Sequence, residues 1–208
     1  GFAIESGALK FGEFTLKSGR VSPYFFNTGA FSSGAALAKL ARAYSMCIND
    51  RSLEFDMFFG PAYKGIPLVS AISVCYSDLY NRDIGFCFNR KEEKKHGEKG
   101  MIVGQELHGN VLIIDDVISA GTSVRESVKI IEGERAWPVA VVITLDRQEK
   151  GLGSETAVEE TQRSLNLKVE SIVSFDDIVH YLRGIGNFLP EIDALQTYHI
   201  AYGNKVSE

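Results

Sequence analysis

Two hydrophobic rhythms alternate along this chain. From residue 32 onward, short apolar runs are followed by stretches whose apolar positions recur with a helical period. Residues 32–49 place Ala36, Leu37, Leu40, Ala41, Tyr44 and Cys47 on one helix face. FDMFFG (55–60) reads as a strand, and residues 64–80 read as a helix with Leu68, Val69, Ile72, Cys75, Tyr76 and Leu79 inward. GFCFNR (85–90) and the run beginning at Val111 are further strands. A helix over 123–134, a strand over 138–145, a helix over 155–166, a strand over 168–173 and helices near 176–184 and 188–201 complete the pattern. Such alternation predicts an α/β fold, a central parallel sheet flanked by helices.

Before residue 32 the rhythm changes. Phe11–Leu16 and Ser22–Asn27 read as two short strands joined at Ser18, Gly19 and Arg20. The expected organisation is an N-terminal hood (1–31) and an α/β core (32–208) with a lid loop over 90–109, all in one integrated domain. The chain opens on a helix-like segment, GFAIESGALKF, and a few native residues are expected to precede it.

Composition narrows the class of function. At 208 residues the chain can bury one good core with a small appendage. A net charge of −5 gives no global case for nucleic-acid binding. Cys47, Cys75 and Cys87 show neither metal nor redox spacing, which suits buried thiols in a reducing cytoplasm. The uncharged run Gly65 to Ser77 is too short to span a bilayer, and the opening residues carry no signal-peptide pattern. A cytoplasmic protein with neither membrane nor nucleic-acid partner is expected.

The segment VLIIDDVISAGTS (111–123) carries the strongest chemical signal. A buried-type strand ends in Asp115 and Asp116, then Ser119-Ala120-Gly121-Thr122-Ser123 lead into a helix. Ligands of open α/β sheets sit at the carboxyl ends of strands. A small-residue turn entering a helix offers backbone N–H groups, hydroxyls and the positive end of the helix dipole to a phosphate. The acids can accept bonds from sugar hydroxyls or help to hold a metal. A phosphorylated sugar is the ligand this combination suits. GxxxxGK[ST] and post-strand GxGxxG are both absent from the sequence, which sets aside the two commonest nucleotide motifs.

Two further segments supply positive charge. In GPAYKG (60–65), Lys64 stands at a helix start, where the helix dipole prefers an anion, so a bound anion explains it better than local preference does. In RKEEKKHGEKG (90–100) the charge run suits a solvated, mobile loop, and Gly97 and Gly100 allow it to act as a cationic lid that excludes water.

VLIIDDVISAGTSVRES resembles the signature of the type I phosphoribosyltransferases, which bind phosphoribosyl pyrophosphate (PRPP). LKFGEFTLKSGRVSPYFFNTG, FGPAYKGIPL, FNRKEEKKHGEKG and ITLDRQEKG resemble, in the expected order, the orotate-specific branch of that family. The likeness runs from about residue 9 to residue 151, and the C-terminal third matches in pattern only.

The resemblance implies Mg²⁺-dependent transfer of ribose 5-phosphate from PRPP to orotate, in UMP biosynthesis. It assigns Asp115 and Asp116 to the ribose hydroxyls and the turn Ser119, Ala120, Gly121, Thr122 and Ser123 to the 5′-phosphate, with Val117 and Ile118 as further PRPP contacts. Lys17, Tyr63, Lys64, Arg90, Lys91, Lys94 and His96 become PRPP contacts, with Lys94, His96 and Asp116 catalytic. Phe25, Phe26, Ser119 and Arg147 become orotate contacts; Ser119 stands where Thr is usual in the family. Mg²⁺ is expected mainly through PRPP, with Asp115 and Asp116 as water-mediated contacts. A homodimer is implied, in which Arg90, Lys94 and His96 act in trans and Lys91 in cis. Two other readings share the signature: a purine phosphoribosyltransferase, and a non-catalytic PRPP-binding regulator. The hood and the charged lid favour orotate, and the acidic chain lacks the basic face a nucleic-acid-binding regulator would need.

Overall fold

A computed structural model describes residues 1–16, 18–94, 100–151 and 153–203; the side chains of 93 and 94 also fall outside the description. The core sheet has the order β5-β4-β3-β6-β7-β8. Its strands are β3 (Met57–Gly60), β4 (Gly85–Lys94), β5 (Gly100–Gly104), β6 (Asn110–Ile114), β7 (Trp137–Asp146) and β8 (Lys168–Ser174). All pairs are parallel except β4 with β5.

Successive strand residues point to opposite faces, and each face has its own core. Phe58, Leu112, Ile114 and Val142 pack with the buried positions of α2 (Gly34–Asp50) and α3 (Gly65–Tyr80). Met57, Phe59, Ile113, Val141 and Ile143 pack against α4 (Thr122–Gly133) and α5 (Ala157–Leu165). Strands covered on both sides explain why the sequence shows continuous apolar runs there. Two C-terminal helices, α6 (Phe175–Ile185) and α7 (Leu189–Tyr202), join the first of these cores.

The N-terminal strands β1 (Leu9–Thr15) and β2 (Val21–Phe26) form a separate antiparallel pair. Its inward residues, Leu9, Tyr24 and Phe26, belong to the same core as α2 and α7. Phe11 packs on Phe188 at the start of α7, with ring centroids 5.7 Å apart.

Three local expectations differ from the structure. The helix-like opening forms only one turn, α1 (Phe2–Glu5), and Gly7 at φ +70° turns the chain into β1. The expected lid stretch over 90–109 is largely sheet where it is described: β4 continues to Lys94, and β5 runs back beside it to Gly104. The charges of β4 disguise a strand, on which Lys91 and Glu92 are exposed, a usual composition for a sheet margin. The sheet is therefore parallel except at this edge. Finally, the strand expected over 55–60 begins at Met57, although Phe55 is already buried against Phe58 and Tyr76.

Candidate active site

The sheet order places a crossover point between β3 and β6. The loops after these two strands open toward one crevice, as expected for a ligand site of this architecture. One loop brings Lys64, and the other brings Asp115 and Asp116.

The two acids continue the β6–β7 ladder beyond the strand. The Asp115 N–H donates to the Val142 carbonyl at 3.1 Å, and the Asp116 carbonyl accepts from the Thr144 N–H at 2.9 Å. From beneath, the buried Tyr44 hydroxyl of α2 donates to the Asp115 carbonyl at 2.7 Å and lies 2.5 Å from the Thr144 hydroxyl. The backbone of the acid pair is thus fixed from two sides.

Their carboxylates have different surroundings. Asp115 is 5 % exposed and Asp116 8 %. Burial first, and the Asp116 charge second, push the Asp115 carboxyl up to about 6. Bonds from the Ser123 hydroxyl and the Asp116 N–H, with Lys64 nearby, oppose that shift. The Asp116 carboxylate spends Oδ1 on the Val117 N–H at 2.9 Å. Its Oδ2 accepts from Lys64 Nζ at 2.5 Å and from the Thr28 hydroxyl at 3.2 Å.

Beyond the acids, residues 117–124 and Asp115 line a small cavity of about 80 Å³. Val117 bridges to Leu145 and Ile118 is buried, so these two anchor the turn. Ser119, Ala120 and Thr122 are exposed at the cavity. Gly121 is the N-cap of α4, at φ +66°, and contributes no side-chain cap. A Cβ there would lie 2.8 Å from the Thr161 hydroxyl. The first-turn N–H groups of α4 therefore face an anion-sized space rather than a capping side chain. Arg125 closes the far side by bonding the Ala120 carbonyl.

On the β3 side, Tyr63 and Lys64 are exposed, and the Ala62–Tyr63 peptide is cis. The Ala62 N–H donates to Asn89 Oδ1 of β4 at 2.8 Å, which ties this turn to the neighbouring strand. Arg90 Nη1 donates to the Gly100 carbonyl at 3.2 Å, across the antiparallel edge, and Lys91 is exposed. Lys17, His96 and the Lys94 side chain lie outside the described residues.

Arg147 follows β7 and points toward the hood. Nε and Nη2 meet Glu149 Oε1 at 2.8 and 2.6 Å, Nη2 donates to the Ser22 hydroxyl at 3.1 Å, and the guanidinium lies 4.0 Å over the Tyr24 ring. Burial opposes its charge, but Tyr24 and Glu149 outweigh that and hold its pKa above the ordinary value. Glu149 also accepts from the Tyr24 hydroxyl at 3.3 Å and the Tyr198 hydroxyl at 3.2 Å. Among the described residues, every buried side-chain N and O has a partner.

The structure separates Phe25 from Phe26. Adjacent strand residues face opposite ways, so Phe26 is buried in the core while Phe25 is exposed and stacks on Phe14 at 5.5 Å. As placed, the two rings cannot sandwich one flat ligand between them. Sequence reasoning missed Thr28, Tyr44, Thr144, Ser22, Tyr24, Asn89, Glu149 and Tyr198. Of these, Thr28, Ser22 and Tyr24 lie inside SPYFFNT, Thr144 and Glu149 inside ITLDRQE and Asn89 inside FNRKEE, while Tyr44 and Tyr198 look like ordinary core residues.

No helix among the described residues is long and apolar enough to cross a membrane, and no group of three or more His, Cys, Asp or Glu among them could hold a metal ion. Mg²⁺ needs no such cage, since it commonly keeps several waters and binds through one or two carboxylates and substrate phosphates. Asp115 and Asp116 beside an anion-sized cavity fit that pattern.

Comparison with known proteins agrees with this geometry. Residues 30–177 match the model of the phosphoribosyl transferase domain. Over 202 residues the chain is 54% identical to the orotate phosphoribosyltransferase of Alteromonas mediterranea and 50% identical to that of Thioalkalivibrio sulfidiphilus, covering 97% of this chain and 95% of each relative. The crystal structure of orotate phosphoribosyltransferase from Francisella tularensis superposes with a TM-score of 0.87 at 42% identity, covering 98% of both chains. With the acid pair, the phosphate turn and the parallel sheet all in place, the chain belongs to the orotate phosphoribosyltransferase family.

Proposed function

We infer that this protein transfers ribose 5-phosphate from PRPP to orotate, giving orotidine 5′-phosphate and pyrophosphate in UMP biosynthesis. The observation that carries the reading is the crevice between β3 and β6, where two buried acids, one cation and an anion-sized helix N-terminus converge. In the reaction the C1–pyrophosphate bond breaks and a bond from C1 to N1 of orotate forms. Bond breaking runs ahead, so positive charge grows on the ribose and negative charge on the leaving group. Asp115 and Asp116 hold the ribose hydroxyls, and residues 119–123 hold the 5′-phosphate. Lys17, Tyr63, Lys64 and Lys91 meet the pyrophosphate from the same subunit. Arg90, Lys94 and His96 reach it from the partner of a homodimer. Asp115 and Asp116 would help to hold Mg²⁺, which would add positive charge beside the leaving group.

On the base side, Phe25, Ser119 and Arg147 are assigned to orotate; Phe26, buried in the core, is left out of that set. Arg147 offers its guanidinium to the orotate carboxylate, and Glu149, Ser22 and the Tyr24 ring hold it in place. Three unpaired thiols support a reducing, cytoplasmic setting.

The test is an absorbance assay with PRPP and Mg²⁺, using orotate in one arm and adenine or hypoxanthine in the other. Consumption of orotate alone is expected; turnover of a purine instead, or PRPP binding without product, would replace this reading. The shared site is tested by mixing Lys94→Ala subunits with Asp116→Ala subunits. Mixed dimers are expected to regain activity that neither parent shows.

A further inference from the structure

One oxygen of the site carries two unlike donors. Asp116 Oδ2 accepts from Lys64 Nζ at 2.5 Å and from Thr28 Oγ1 at 3.2 Å. Lys64 is a long side chain, about half exposed at 51%. A cavity of about 340 Å³ opens beside it, lined also by Thr28, Ser33, Pro67 and Leu68, so the ammonium has space to move. Thr28 is the reverse. It is buried at 7 % exposure and β-branched, and it sits in a single 3₁₀ turn, Thr28–Ala30. The turn is pinned by Asn27, whose Oδ1 accepts from the Gly29 N–H at 3.0 Å.

A phosphate-bearing ligand competes with Asp116 for Lys64. When the ammonium leaves, Oδ2 loses its cation and stands beside a second buried carboxylate, Asp115. Repulsion then favours rotation of the Asp116 side chain away from its neighbour. The Val117 N–H holds only the other oxygen. The Thr28 hydroxyl is the donor that remains on Oδ2 from a rigid mount.

We propose that Thr28 is a positioning residue for Asp116, whose hydroxyl keeps the carboxylate aimed at the ribose when Lys64 moves to the pyrophosphate. The proposal rests on the PRPP-binding reading above. It also gives the hood a physical link to the ribose side, because Thr28 lies two residues beyond Phe26 at the end of β2.

The experiment uses the full chain with Thr28→Val, which removes the hydroxyl at nearly constant volume, and Thr28→Ser, which keeps it. Thr28→Ala replaces the valine variant if that one does not fold. Thr28→Val is expected to lower kcat/KM for PRPP about tenfold, the usual scale for a lost hydrogen bond to a charged group. It is expected to weaken calorimetric PRPP binding, measured without orotate, by a similar factor. KM for orotate should not move, and Thr28→Ser should restore both PRPP values to within about twofold of the unsubstituted protein. Wild-type PRPP kinetics and binding in Thr28→Val overturn the proposal. So does a Thr28→Ser variant as impaired as the valine one, since the methyl rather than the hydroxyl would then matter. Failure of the wider reading looks different: the unsubstituted protein would bind PRPP yet make no orotidine 5′-phosphate, and the binding arm would still judge Thr28.

Discussion

Between Asp115 and Ser123 the candidate site is written in one uninterrupted stretch of chain, whereas the proposed base side around Arg147 is assembled from three separate segments. The first half works mainly through backbone: a ladder that fixes the acids, a left-handed glycine, and the free N–H groups of a helix start. The second works through side chains, with Ser22 and Tyr24 from β2, Arg147 and Glu149 from the loop after β7, and Tyr198 from α7. A site made of backbone tolerates a change of side chain but not of dihedral angle. A site made of side chains has the opposite sensitivity. Ser119, where the family resemblance expects Thr, sits in the tolerant half.

The contrast breaks most visibly at Glu149. Its removal leaves the Arg147 guanidinium, with 15% of its side chain exposed, without its anionic partner. Glu149→Ala is expected to cost about 4 kcal/mol of stability, the scale of a broken buried ion pair. In any population that remains folded, KM for orotate should rise while KM for PRPP holds. A thermal melt and the two KM values check this, and an equal rise in both KM values would show that the halves are not independent.

Asp115 gives the next effect, with a definite pH sign. Its carboxyl titrates near 6 in the folded protein against an ordinary 3.8, so folding favours the protonated form. The stability linked to that proton is complete below 3.8 and lost as pH rises through about 6. Asp115→Asn should therefore stabilise the ligand-free protein at pH 7.5 by up to about 3 kcal/mol. The gain should shrink between pH 6 and 3.8 and vanish below, while transfer activity falls at every pH. Denaturant melts across that range are the measurement, and a pH-independent difference would remove Asp115 as its source.

The smallest effect belongs to Gly121. Gly121→Ala asks a side chain to adopt φ +66° with its Cβ close to Thr161, for about 1 kcal/mol of strain. A raised KM for PRPP with unchanged KM for orotate is the expected signature, and Ser119→Thr in the same stretch should leave both values near those of the unsubstituted protein.

The same contrast governs what could be read from the sequence. A buried strand, two acids and a turn into a helix are neighbours in the chain, so periodicity and residue type exposed them together. Ser22 and Arg147 are 125 positions apart, and nothing local marks them as partners. Tyr44 shows the same blindness: its helical spacing correctly predicts an inward face, but not that its hydroxyl reaches the Asp115 carbonyl. Phe25 and Phe26 look equivalent as letters, and only the strand's alternation sends one into the core. The β5 edge went unread because its partner strand ends in charges, which outweigh a short apolar run between Gly100 and Gly104.

The contact between Lys64 and Asp116 also bears on how the site responds to ionic strength. A lysine already paired has given up its share of small ions before any ligand arrives, so moving it from a carboxylate to a phosphate changes little in the count of bound salt. The affinity gained through Lys64 is then an exchange between two ion pairs, smaller than the full attraction of a bare cation. Anion binding through this lysine is accordingly expected to vary weakly with added salt, leaving steep salt dependence to cations that have no carboxylate waiting for them.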